Sequence, residues 1–318
     1  MRYYSIIITD PDTGQEFQKY TSFVNGQTMA GALDIELDVP VVTFASPMGI
    51  AFVRIWGIPL QQVSQSNDLK NKQIQVYAGM QRGLPLANIN ANYAGLIVQG
   101  FIQQAIGNWV GNEMTLDLFI AQNTGSVLKP ANLVLDWKKN TDLASAIKTT
   151  LSTAFPSLKL DIDISDDLKL AEDQKGYYST LVELAQYIKQ ESQNILGGTY
   201  AGVDIVIKQS TIVVRDGSTP ASNPKQINFE DMVGQPTWID APFINIKLVM
   251  RGDLFTLDYL RLPEKGVLPI TTPQSLSQLR DLSVFKGTLR ISQIRHVGHF
   301  RQPTAEAWVT VVDAYPVQ

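Results

Sequence analysis

Hydrophobic and polar residues alternate with a period of two through the first 125 positions. In "ALDIELDVPVV", Leu33, Ile35, Leu37 and Val39 fall on one face and Asp34, Glu36 and Asp38 on the other, as a half-buried strand requires. "FVRIWG" and "QIQVYAGM" repeat the pattern. Between them, "IPLQQVSQSNDLKN" spaces Leu60 and Val63 like one short helical turn, with Pro59 predicted at its first position. Strands over "LIVQGFIQQAI" and "EMTLDLFIA" flank "GNWVGN", whose Asn and Gly residues predict the turn. This is the pattern of an antiparallel barrel or sandwich with one small helix.

The period then changes. In "NTDLASAIKTTLSTAF", Leu143, Ala146, Ile147, Thr150, Leu151 and Ala154 recur at three and four, which predicts an amphipathic helix stopped before Pro156. "LKLDIDI" reads as a strand, and "STLVELAQYIKQESQNIL" as a second helix. Thr180 and Glu183 form a capping box at its start, and Gly197 and Gly198 end it. "GVDIVIKQSTIVVRDG" predicts a hairpin turning at Gln209 and Ser210. "GSTPASNPK", residues 217–225, concentrates Gly, Pro, Ser and Asn and reads as a linker. Beyond it the β pattern returns in "TWID", "FINIKLVM", "TLDYLRL", "GTLRISQIRHV" and "EAWVTVVDA". The predicted fold class is mainly β with an α/β insert. The division is a first β-barrel domain over 1–128, an α/β insert over 129–225 and a second β-barrel domain over 226–318.

Composition narrows the functional classes. The chain has 318 residues, 44% hydrophobic and 18% charged, which is globular rather than disordered. "MRYYSIIITDPDTGQ" holds only a three-isoleucine run before Asp10, so neither a signal peptide nor a spanning helix is expected, and no membrane insertion. Residence in a cytoplasm, or release by lysis, follows as the expectation. There is no cysteine, which removes disulfides, thiol nucleophiles and thiolate metal sites together. A net charge of −4 argues against electrostatic wrapping of nucleic acid.

The candidate chemistry is sparse. Both histidines, His296 and His299, lie in "RISQIRHVGHFRQPTAEAWVTVVDA". Residues three apart on an extended strand point to opposite faces, so the pair could share a metal only through a bulge at Gly298, and "FRQPTA" offers no third ligand. A β-hairpin is the simpler reading. "DIDISDDLKLAE" places Asp161, Asp163, Ser165 and Glu172 at the spacing of a calcium loop, but Asp166 stands where glycine is needed. Leu160, Ile162 and Ile164 alternate with the aspartates, which predicts a strand with a solvated acidic face. No G-x-S-x-G and no phosphate loop occurs, "GGTYAG" reads as a helix cap, and Asp166 and Asp167 read as a solvated loop rather than a glycosidase pair. The expectation is a non-enzyme with no catalytic, cofactor-binding or metal residues and no cofactor.

Three long stretches carry a resemblance. "ALDIELDVPVVTFASPMGIAFVRIWGIPLQQVSQSNDLKNKQIQVYAGMQRGLPLAN", "AGLIVQGFIQQAIGNWVGNEMTLDLFI" and "FKGTLRISQIRHVGHFRQPTAEAWVTVVDA" together resemble the baseplate hub proteins of contractile-tailed bacteriophages. The similarity runs over nearly the full chain. It is most specific in "RIWGIPL" to "VYAGMQRGLPLA" and in "IRHVGHFRQP", and least specific in the insert. The resemblance implies two tail-tube-like β-barrels per chain and a homotrimer whose six barrels adapt the sixfold tail tube to the threefold central spike. It implies a virion baseplate location after assembly in the host cytoplasm. The implied partners are the chain itself, the tail tube protein, the central spike protein and the baseplate wedge proteins, with genomic DNA only in passage. Because the sequence ends at Gln318 just after its last predicted strand, spike or lysozyme-like parts are expected on separate polypeptides.

A chain without site chemistry points its long loops and edges toward neighbours. "MQRGLPLANINANYAG" and "LPEKGVLPITTPQSLSQL" are the candidate contact loops. Two rivals remain: a tail-tip carbohydrate- or receptor-binding β protein, and a tail-associated peptidoglycan-cleaving enzyme.

Overall fold

The computed structural model describes residues 1–46, 49–81, 92–122, 132–198, 200–208, 211–218, 224–240, 242–263 and 287–317. Most of both candidate contact loops, the turn at 209–210 and the centre of the 217–225 linker lie outside them. In chain order the elements are β1 (Arg2–Thr9), β2 (Glu16–Thr21), β3 (Phe23–Val24), β4 (Gln27–Thr28), β5 (Ile35–Val41), β6 (Ala51–Trp56), α1 (Leu60–Ser64), β7 (Gln73–Met80), β8 (Gly95–Val110) and β9 (Glu113–Gln122). There follow β10 (Leu133–Trp137), α2 (Leu143–Ala154), β11 (Lys159–Asp163), β12 (Gln174–Tyr178), α3 (Leu181–Leu196), β13 (Asp204–Lys208) and β14 (Thr211–Arg215). The last are β15 (Lys225–Gln226), β16 (Thr237–Asp240), β17 (Phe243–Val249), β18 (Tyr259–Arg261), β19 (Thr288–His299) and β20 (Trp308–Pro316). The protein is mainly β with a small α/β module. None of the helices among the described residues is long and apolar enough to cross a membrane.

The chain forms two compact units. The first joins Met1–Val41, Gly49–Asn123 and Asn223–Gln318. Its strands run in the order β16-β17-β20-β19-β5-β6-β9-β8-β7-β1-β2, with β18 and β15 branching from β19. The two β segments on either side of the insert thus share one sheet, through pairing of β5 with β19. Two hydrophobic cores nevertheless form on it. One holds Tyr4, Ile35, Val53, Ile74 and Leu118, with Met250 and Trp308 reaching in from the last third of the chain. The other holds Ile227, Ile244, Leu260, Leu289, Ile291 and Val312.

β19 keeps its inward residues Leu289, Ile291 and Ile294 in the second core across a break in its alternation. A bulge lies between Ile291 and Gln293, so Leu289 and Ile291 are buried before it and Ile294 and His296 after it. Simple alternation sets Leu289 and Ile291 opposite Ile294 and His296. One extra residue brings all four inward.

Local signals account for the other elements. β5 buries Ile35, Leu37 and Val39 while Glu36 and Asp38 stay partly exposed. Pro59 is the N-cap of α1 rather than its first residue. β8 runs through Gly107, Asn108 and Trp109 to Val110, which pairs with Glu113, so only Gly111 and Asn112 of "GNWVGN" make the turn.

The second unit comprises Val42–Met48 and Thr124–Ser222. Residues 42–46 fall inside the first domain of the sequence division, but Phe44 is buried in the α/β core and its N–H donates to Ile205 O at 2.9 Å. β11 pairs parallel to β14, which pairs antiparallel to β13, while β10 and β12 form a separate antiparallel ribbon. Leu143, Ile147 and Leu151 of α2 and Leu184 and Ile188 of α3 are buried in the same core as Trp137, Ile205 and Val214. Asp142 caps α2, accepting from Ser145 N–H at 2.8 Å. Thr180 caps α3 through Glu183 N–H at 3.2 Å, and Glu183 reaches back to Ser179 N–H, one residue before the usual capping-box donor. Gly197 and Gly198 carry φ of 61° and 59°, the left-handed conformation at a helix end that favours glycine.

Candidate functional site

The histidine stretch forms the β19–β20 hairpin, with β19 also paired to β5. Consequently its two histidines meet different surroundings. His296 is buried, directly opposite Thr310, and its Nδ1 lies 2.9 Å from Thr310 Oγ1. Thr310 Oγ1 also accepts from Arg251 N–H at 2.8 Å. Burial lowers the His296 pKa to about 3, with Asp253 opposing.

From Thr310 the polar network continues across the unit. The Arg251 guanidinium makes a bidentate pair with Asp253 at 2.7 and 2.8 Å and lies 3.8 Å over the Tyr93 ring. Burial pulls the arginine's pKa down, but Asp253, with Tyr93 and Asp231, outweighs it and the net shift is upward. The Tyr93 hydroxyl donates to Asp231 Oδ2 at 2.7 Å. Burial, then this bond, push the tyrosine up to about 12. Nearby, Gly252 N–H donates to Tyr93 O at 2.8 Å, and a Cβ on Gly252 would lie 2.3 Å from Ala78 O. Trp308 Nε1 donates to Gly79 O at 3.0 Å, and its ring occupies the space a side chain at Gly298 would take. This network therefore joins residues 78–95 to residues 228–310. It is a structural cross-brace.

His299 points to the other face. Its Nε2 is 2.8 Å from Asp34 Oδ2 and its Nδ1 is 3.4 Å from Glu36 Oε1. Asp34 also accepts from Arg301 N–H at 3.0 Å. Arg2 spans the turn that follows β19, donating to His299 O, Phe300 O, Gln302 O and Thr304 O. The two imidazoles do not converge, and among the described residues no group of three His, Cys, Asp or Glu side chains is placed to hold a metal ion. The carboxylates near His299 are not its neighbours in the chain: Asp34 and Glu36 arrive through the β5–β19 pairing.

The acidic stretch is likewise committed within the fold. β11 covers the first carboxylates of the calcium-like spacing, and Arg215 on β14 holds Asp161 at 2.7 Å and approaches Asp163 at 3.9 Å. Asp166 and Asp167 are exposed in the following turn.

What remains for recognition is surface. Trp109 and Val110, at the tip of the β8–β9 hairpin, are 61% and 76% exposed. Among the described residues the strand path ends on β2 and β16, which expose Phe17 and the pair Trp238 and Ile239. Unpaired edges and apolar tips are features that chain partners cover.

The fold so defined is shared with proteins of a phage tail and of a secretion system. The chain superposes on the 43 kDa tail protein of prophage MuSo2 from Shewanella oneidensis over 99% of its own length and 96% of the other, with a TM-score of 0.51 at 8% identity. It superposes on the E. coli c3393 protein over 91% and 75% of the two chains, with a TM-score of 0.52 at 7% identity. That protein is a component of the type VI secretion system with structural similarity to the T4 bacteriophage tail proteins gp27 and gp5. At these identities the likeness is one of fold. No family model and no curated protein matches the chain.

Proposed function

We propose that this protein is a non-enzymatic structural hub of a phage tail, a homotrimeric ring at the baseplate that adapts the sixfold tube to the threefold spike while DNA passes through its channel. The observation that carries the reading is the shared sheet. On this reading the two hydrophobic cores on one continuous sheet serve as the two β bodies of each chain, so that three chains approximate sixfold symmetry. The fold shared with a prophage tail protein, and with a protein itself similar to gp27 and gp5, supports the same role. The exposed edges β2 and β16 suit a ring, which joins unlike surfaces head to tail. The partners are then other copies, the tube protein, the central spike and the baseplate wedge. A tail reconstruction by electron microscopy tests this. Three copies in one ring on the tail axis are expected; six copies per ring, or a position on outer fibres, would overturn it. Loss of turbidity in a peptidoglycan suspension treated with the purified protein would overturn the non-enzyme reading.

A further inference from the structure

The strand β8 is irregular where it passes the short helical segment after β6. Gln103 is the extra residue of a bulge between Ile102 and Gln104, so Gln103 and Gln104 are both exposed instead of alternating. The facing wall is α1 and the 3-10 turn Ser66–Leu69. It approaches β8 closely because residue 107 is glycine: a Cβ there would lie 2.5 Å from Val63 O. The wall ends at Asn71, whose φ is 66° and whose N–H is fixed by Ile102 O at 2.8 Å. Between wall and bulge lies an open groove of about 870 Å³, within the range of about 300–1,000 Å³ typical of small-ligand sites.

Asn67, Lys70, Asn71, Gln103 and Gln104 supply its charged and amide lining, and Phe119 an apolar ring. None of the four amide side chains hydrogen-bonds to another described residue. We propose that this groove binds an acidic oligosaccharide. Each amide presents a donor beside an acceptor, the pairing that adjacent sugar hydroxyls require. Phe119, packed on Phe52 at 5.3 Å between ring centroids, offers an apolar face to the C–H side of a sugar ring. Lys70 is the one charged residue lining the groove, so it selects a carboxylate. One cation is too few for a polyphosphate backbone, which is bound by several. The proposal does not depend on the hub reading.

The test is calorimetry, with saturation-transfer NMR, on the full chain. The probes are short oligosaccharides of galacturonate, alginate, hyaluronan and sialic acid, with maltohexaose and chitohexaose as neutral comparators. An acidic probe should bind and weaken with added salt, and Lys70→Gln should weaken it about tenfold through loss of the charge-assisted contact. Gln104→Ala should weaken it as well, with thermal unfolding unchanged in both variants. No binding by any acidic probe at millimolar concentration, a preference for the neutral sugars, or binding indifferent to both substitutions would each overturn the proposal.

Discussion

His296 Nδ1 lies 2.9 Å from the Thr310 hydroxyl, straight across the hairpin ladder. The histidine is neutral in the folded chain because burial holds its pKa at about 3, whereas the unfolded chain binds the proton near its ordinary value of 6.5. As pH falls below about 6.5 the unfolded state gains a proton first, so stability is full above that value and declines toward pH 3. The slope approaches about 1.4 kcal/mol per pH unit for one such group. Urea midpoints measured at pH 7 and pH 5 should show this loss in the wild type and much less of it in His296→Gln. Equal losses in both proteins would contradict the assignment.

The cross-brace has one contact with no room for adjustment. A methyl group on Gly252 meets Ala78 O at 2.3 Å and Gly95 N at 2.6 Å, both backbone atoms. Gly252→Ala should cost about 2–3 kcal/mol through forced backbone shifts. Gly111→Ala, at φ 62° with open space around it, should cost only about 1 kcal/mol, the penalty of the left-handed conformation. Chemical denaturation ranks the two, and the reverse order would reject the packing argument.

Tyr93→Phe removes the 2.7 Å bond to Asp231, which is fully buried. Weakening the satisfaction of a buried carboxylate in this way should lower stability by about 1–3 kcal/mol. A change too small to measure would show that the bond does not brace the two β segments.

Replacing Trp109 by Ser and Val110 by Thr should leave unfolding within about 0.5 kcal/mol of wild type, because both side chains are exposed. On the hub reading the same double variant should enter assembled tails less efficiently. Quantifying the protein in purified particles checks this, and undiminished incorporation would remove the hairpin tip from the assembly surface.

Periodicity made much of the secondary structure readable. The inward residues of β5, the helical face of α2, the Thr180 cap and the paired glycines after α3 are local signals, and each is set by contacts within a few residues. The bulge in β19 was not readable, since only the pairing with β20 shows where alternation slips. The short strand β12, QKGYY, shows no hydrophobic alternation in its sequence and is completed by pairing with β10.

The sequence by itself determined the fold class and the α/β interruption, because burial patterns and caps are properties of the chain. The tertiary structure decided that the outer segments share one sheet, that His296 is a buried brace while His299 meets Asp34 and Glu36, and that Phe44 belongs to the α/β core. The shared sheet, the meeting of His299 with Asp34 and Glu36, and the Phe44 contact each join residues more than a hundred positions apart. Such pairings are fixed by the joint burial of many side chains, and no single stretch of sequence contains both partners.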